Sequence, residues 1–287
     1  MQALNTVTPK LNLLVAYPYL SKPFIKLIAE NQQNIRFLLD SGAFTAQTLG
    51  KKISLDDYCR FIESLPFKPW RYFTLDVIGD PGQTLANYQK MLDRGFKPVP
   101  ILTQGEDFSV MDDFWKTSDV VGIGGLVHVP LKAKQKFIYD VMQYAKGRRV
   151  HWLGFCNDQF VKYFRPYMCD SSAWTAAQRF GLMNIYLGLG RNTSLKKTEL
   201  INKPSQEILN RIASWGFDPY SLKTLKNWHG NSALSNRINA ASFVDKSCDY
   251  EKHLSVKLFL ATAAECHGKI LIEAINRKVK LYDTHYF

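Results

Sequence analysis

The chain is expected to be an α/β protein: a (β/α)8 TIM-type barrel with a helical C-terminal extension. Three observations predict this. Apolar runs of strand length alternate with amphipathic helical segments over the first two thirds of the chain. The runs recur at steps of roughly 17–36 residues, the spacing of successive βα units. Three of them end in aspartate, at Asp40, Asp76 and Asp170, and in such a barrel the C-terminal strand ends form the active-site mouth. A length of 287 residues suits one large barrel, or one domain with a small appendage. A doubly wound open sheet is the alternative arrangement.

Each element has its own signal. Leu11–Pro18 reads as a buried strand, and Ser21 caps a helix running to Gln33 with Phe24, Leu27 and Ile28 on one face. Arg36–Asp40 is the second strand. Ser54 caps a helix to Leu65. Arg71–Val77 is the third strand, followed by a helix over Gly82–Arg94 that Gly95 stops. Lys97–Thr103 is the fourth strand, Asp107–Lys116 a helix, and Asp119–Leu126 a fifth strand running into paired glycines. Leu131–Lys146 is an amphipathic helix stopped by Gly147. Arg149–Phe155 is the sixth strand, Asn157–Phe164 a short helix, Pro166–Asp170 the seventh strand and Asn184–Leu189 the eighth. The barrel is therefore expected over residues 1–195. Residues 196–287, with helices at Pro204–Trp215 and Glu251–Arg277, form the helical extension packed on it.

Composition narrows the class. The chain is 46% hydrophobic and 13% aromatic, enough for a sizeable core and unlike a disordered chain. Five cysteines, with no C-x-x-C pair, argue against a zinc ribbon or a disulfide scaffold and for a reducing, cytoplasmic compartment. No basic segment followed by an apolar core opens the chain, and no apolar run approaches the ~20 residues of a membrane span, so no membrane partner is expected. A net charge of +12 suits a polyanionic partner, without choosing among DNA, RNA and an acidic membrane surface.

An Asp followed by Ser or Gly commonly caps a helix or forms a turn. Three such residues on separate strands of one barrel point further. Two carboxylates facing across a pocket suit chemistry at an anomeric carbon: one attacks as nucleophile while the other protonates the leaving group. A third that accepts hydrogen bonds suits a ligand rich in N–H donors, such as guanine.

DSGAF at Asp40–Phe44 resembles the DSGGF-type motif of the tRNA-guanine transglycosylase superfamily. LDVIGDP at Leu75–Pro81, with the following GQTLANYQKML and GFKPVPILTQGE, is similar to one branch of it, the DNA 7-deazaguanine transglycosylases of bacteria and phages. GIGGLV at Gly122–Val127, HWLGF at His151–Phe155 and CDSSAW at Cys169–Trp174 resemble the same branch, and the likeness spans Leu11–Gly190. It implies Asp170 as the nucleophile on C1′ and Asp40 as the general acid/base. It implies Asp76 as the reader of the guanine-type edge, Gln104 and the backbone of Gly124 and Gly125 as partners of the O6 side, Phe44 and Leu153 as faces sandwiching the base, and Ser41 as a positioning group.

The tRNA enzymes carry a C-x-C-x-x-C zinc run that this chain lacks. No metal and no cofactor are therefore expected. The implied partners are DNA, or alternatively tRNA, a 7-deazaguanine base, and accessory proteins that open DNA. Arg165, Lys196 and Lys197 are the candidate phosphate contacts. A barrel that binds nucleic acid without catalysis, and a small-molecule glycosidase, are the competing readings.

Overall fold

The computed structural model describes residues 8–126, 129–197, 204–230 and 233–284. Ten strands are described: β1 (Leu11–Ala16), β2 (Ile35–Asp40), β3 (Arg71–Tyr72), β4 (Ile101–Thr103), β5 (Val121–Gly124), β6 (Val150–Trp152), β7 (Met168–Ser171), β8 (Leu182–Gly188), β9 (Arg191–Lys196) and β10 (Lys257–Thr262). The described helices are α1 (Lys22–Glu30), α2 (Ala43–Thr48), α3 (Leu55–Ser64), α4 (Pro81–Asp93), α5 (Val110–Thr117), α6 (Leu131–Ala145), α7 (Asp158–Phe164), α8 (Ala176–Phe180), α9 (Gln206–Ser214), α10 (Leu234–Leu254) and α11 (Glu265–Thr284). None of them is long and apolar enough to cross a membrane.

Eight strands form one parallel sheet in the order β3-β2-β1-β10-β7-β6-β5-β4, curled as in a TIM-like fold. Its edge strands, β3 and β4, share no ladder; a single parallel bridge, Phe73 to Val99, spans them. Local chemistry sets the helix starts. The Ser21, Ser54 and Asp80 side chains accept from the N–H three residues on, and Asn157 accepts from Gln159 and Phe160. β3 and β4 are much shorter than the apolar runs that contain them.

The eighth strand of the sheet is not Asn184–Leu189. Asn184–Gly188 of that stretch lies in β8, which among the described residues pairs with β9 alone, in a separate antiparallel hairpin. The vacant place between β1 and β7 is taken by β10, from the region expected to be a helical extension. The helix expected over Glu251–Arg277 is broken there: Ser255 closes α10 in a left-handed conformation, and Lys257–Thr262 is extended. The boundary at residue 195 thus falls inside β9, and α10 is the crossover from β7 to β10. α11 then returns against α1. Gly268 allows that approach, since a Cβ there would lie 2.4 Å from the Phe24 ring.

Inside the curl, Leu14, Leu38, Phe73, Val99, Ile101, Val120, Met168 and Phe259 form a packed plug. At its N-terminal end, Arg71 and Arg36 sit over the Trp70 ring, and Arg149 and Lys257 over Tyr167. A larger cluster fills the space between sheet and helices. A third, with Met183, Ile185, Leu195, Ile212, Trp215 and Trp228, builds a lobe around the hairpin.

α10 lies between the sheet and the lobe, and its buried residues include Asn239, Ser242, Asp245, Lys246 and Ser247. Buried polar groups need partners, and these have them. Asn239 and Ser242 accept from the Asn184 and Tyr186 amides of β8 at 3.0 and 2.8 Å. Asp245 accepts from Arg211, Trp215 and Lys278. Lys246 reaches Asp158 at 2.5 Å.

Candidate active site

The curl brings Asp40, Asp76 and Asp170 to one end of the sheet. Asp40 is the last residue of β2, and the chain turns at once through Ser41 and Gly42 into α2. Gly42 has φ +81°, and a Cβ there would lie 2.3 Å from Pro18 Cδ. Its amide donates to Asp40 Oδ2 at 3.2 Å. Gly42→Ala is expected to destabilise the fold by about 2 kcal/mol or more, from left-handed strain plus the clash; chemical denaturation measures it.

Ser41 is fully buried. Its hydroxyl donates to Asp76 Oδ1 at 2.6 Å and accepts from the Ala43 amide at 3.2 Å. One side chain therefore couples the ends of β2 and β3. Asp40 keeps some access through the mouth but is otherwise surrounded by protein. Burial, then the charges of Asp76 and Asp170, raise its pKa to about 7, against the pull of the Gly42 and Ser41 amides. Burial also raises Asp76, with the Ser41 hydroxyl pulling back. Behind them stands Tyr58, fully buried and donating to the Phe73 carbonyl at 2.9 Å. Its burial and the nearby carboxylates hold it well above the ordinary phenol range.

Asp170 lies on β7, only 7% exposed. Its Oδ1 accepts from the Gly154 amide at 2.9 Å and lies 2.9 Å from His151 Nε2. Among the described residues no hydrogen bond reaches Oδ2, so one oxygen is fixed and the other is left for chemistry. A carboxylate only accepts, so His151 carries its proton on Nε2. Its Nδ1 is buried with no hydrogen-bond partner among the described residues, beside the rings of Phe73 (5.0 Å between centroids) and Phe259 (6.4 Å).

Gly124 and Gly125 end β5 at the same mouth. Cβ atoms there would lie 2.8 Å from Ile101 Cγ2 and 2.7 Å from Thr103 Cγ2, so neither tolerates a side chain, and Gly125 has φ +74°. Phe44, in the first turn of α2, is 40% exposed. Gln104 is exposed on the loop after β4, and Leu153 is half-buried against the interior plug. His128 and Val127, beyond the glycine pair, lie outside the described residues.

The expected phosphate contacts are not brought together. Arg165 ends α7 and enters β7 from the N-terminal end of the sheet, opposite Asp170. Lys196 and Lys197 close the β9 side of the lobe, with Lys197 Nζ 2.9 Å from His229 Nε2. Cys169 faces the helix-side core, fully buried beside Cys156, and takes no part in the site.

The contact of His151 with Asp170 was not among the partners expected from the sequence. The signal was present. His151 lies two residues before Leu153 on the inward face of β6, in register with Met168, itself two residues before Asp170. No family model, curated protein or solved structure matches the chain.

Proposed function

We propose that this chain is a base-exchange transglycosylase that replaces guanine in DNA with a 7-deazaguanine derivative. The scaffold is then a (β/α)8 barrel closed across β3 and β4, where the Phe73–Val99 bridge supports closure. One observation carries the reading. A carboxyl group poised near neutrality, Asp40, stands within the field of a second carboxylate, Asp170, that is fixed through one oxygen only.

The chemistry follows from that pair. Asp170 Oδ2 attacks C1′ as the bond from C1′ to guanine N9 breaks, and protonated Asp40 gives its proton to the departing base. The product is a covalent glycosyl–Asp170 ester. In the second half-reaction Asp40, now a carboxylate, takes the N9 proton of the incoming 7-deazaguanine. That nitrogen attacks C1′ and Asp170 leaves, so two inversions give net retention. Asp76, oriented by Ser41, accepts from the N–H edge shared by both bases. The Gly124 and Gly125 backbone and Gln104 face the O6 side, and Phe44 covers the ring plane. Reaching a base within a duplex requires flipping the nucleotide out.

His151 positions Asp170. His151→Phe is expected to lower kcat about 10–100-fold with little change in KM for DNA, because a nucleophile free to rotate loses its near-attack geometry. A rise in KM in place of the fall in kcat would assign His151 to substrate binding instead.

The reading is tested by incubating the protein with labelled guanine or 7-cyano-7-deazaguanine and either duplex DNA or tRNA. Label is expected in DNA. Label in tRNA alone would move the substrate to RNA, and label in neither would leave a non-catalytic barrel.

A further inference from the structure

We propose that the edge of the lobe beside the mouth docks the DNA strand, and that Phe180 enters the base stack in place of the flipped-out guanosine. The inference rests on the base-exchange reading and extends it to a surface. The segment after Asp170 is held at the mouth by Trp174, whose Nε1 donates to the Ala261 carbonyl near the end of β10 at 2.8 Å. α8 follows directly and ends on Phe180, which is 76% exposed. Gly181, at φ +58°, then turns the chain into β8.

A single exposed phenylalanine is ordinary; its surroundings are not. Arg179 precedes it. The Lys197 amide donates to the Gly181 carbonyl at 3.0 Å, and Lys196 pairs with Leu182 across the hairpin. Lys197 in turn meets His229. From Ser171 to Lys197 the sequence has Arg179, Arg191, Lys196 and Lys197 and not one Asp or Glu. Of these, Arg191 pairs with Glu207 at 2.9 Å, as surface cations such as Arg60, Lys116 and Lys136 pair with carboxylates of their own helices. Among the described residues neither Arg179 nor Lys197 has a carboxylate partner. Arg179 and Lys197 beside an exposed ring, one short helix from the nucleophile, suit a phosphate backbone and a base stack. A nucleotide extruded from a duplex leaves a gap, and an apolar wedge inserted there offsets part of the lost stacking.

The test compares wild type with Phe180→Ala, exposed enough to leave folding intact, on one guanine-containing strand presented as duplex or single strand. The ratio of duplex exchange to single-strand exchange is expected to fall about tenfold. An unchanged ratio would overturn the wedge. Independently of catalysis, the Arg179→Ala/Lys197→Ala double variant is titrated with a short fluorescein-labelled duplex across salt concentrations. The slope of log K against log salt is expected to shallow by about 1.8, two phosphate contacts at roughly 0.9 each. An unchanged slope would overturn the docking surface. Wild type that shows the steep slope, with the double variant shallower, but exchanges no base would sink the base-exchange reading and leave the docking surface standing.

Discussion

Asp170→Asn is expected to abolish base exchange, lowering kcat by at least ~10³-fold, because an amide oxygen cannot form the glycosyl ester on which both half-reactions depend. The substitution is close to isosteric. Its Oδ1 still accepts from His151 and Gly154, the two contacts that fix Asp170, so the unfolding temperature should change little. Single-turnover transfer of labelled guanine measures the loss. Full activity would show that a different carboxylate attacks C1′.

The second large effect is at Asp40. Replacing it by asparagine removes the group that gives and takes the proton, a loss expected at ~10²–10⁴-fold. The pH dependence identifies the mechanism. The pKa of Asp40 is raised to about 7, first by burial and then by Asp76 and Asp170. Guanine expulsion needs the protonated form, so that half-reaction should slow as pH rises above about 7. Capture of the incoming base needs the carboxylate and should slow as pH falls below it. Rapid-quench measurement of the separate half-reactions should give opposing limbs, and the residual activity of Asp40→Asn should lose both. Matching limbs in the two half-reactions would exclude a single shared acid/base.

Much of this was legible in the residues. The capped helices at Ser21 and Ser54 announced themselves through short polar side chains before apolar periodicity. The three aspartates stood out because each ended an apolar run, and the curl of the sheet gathers them. The eighth strand was misplaced for a physical reason. NIYLGL has the composition of a buried strand, but its edge is satisfied by the Asn239 and Ser242 side chains of α10 and by Arg211, rather than by a strand of the parallel sheet. KLFLAT was hidden between two helices, where apolar spacing alone reads as continuous helix. α10 gave no amphipathic signal because it is buried on several sides through polar partners. Strand alternation placed His151 on the inward face of β6, but its meeting with Asp170 also depends on the register of β6 with β7, which sequence pattern does not specify.

The most direct test of the central claim is the mass of the denatured protein after incubation with DNA in the absence of an incoming base. Peptide mapping should find a DNA adduct on the Asp170 peptide, formed with release of one guanine per adduct and absent from Asp170→Asn. Base exchange that proceeds with no adduct, or with the adduct on another residue, would contradict it.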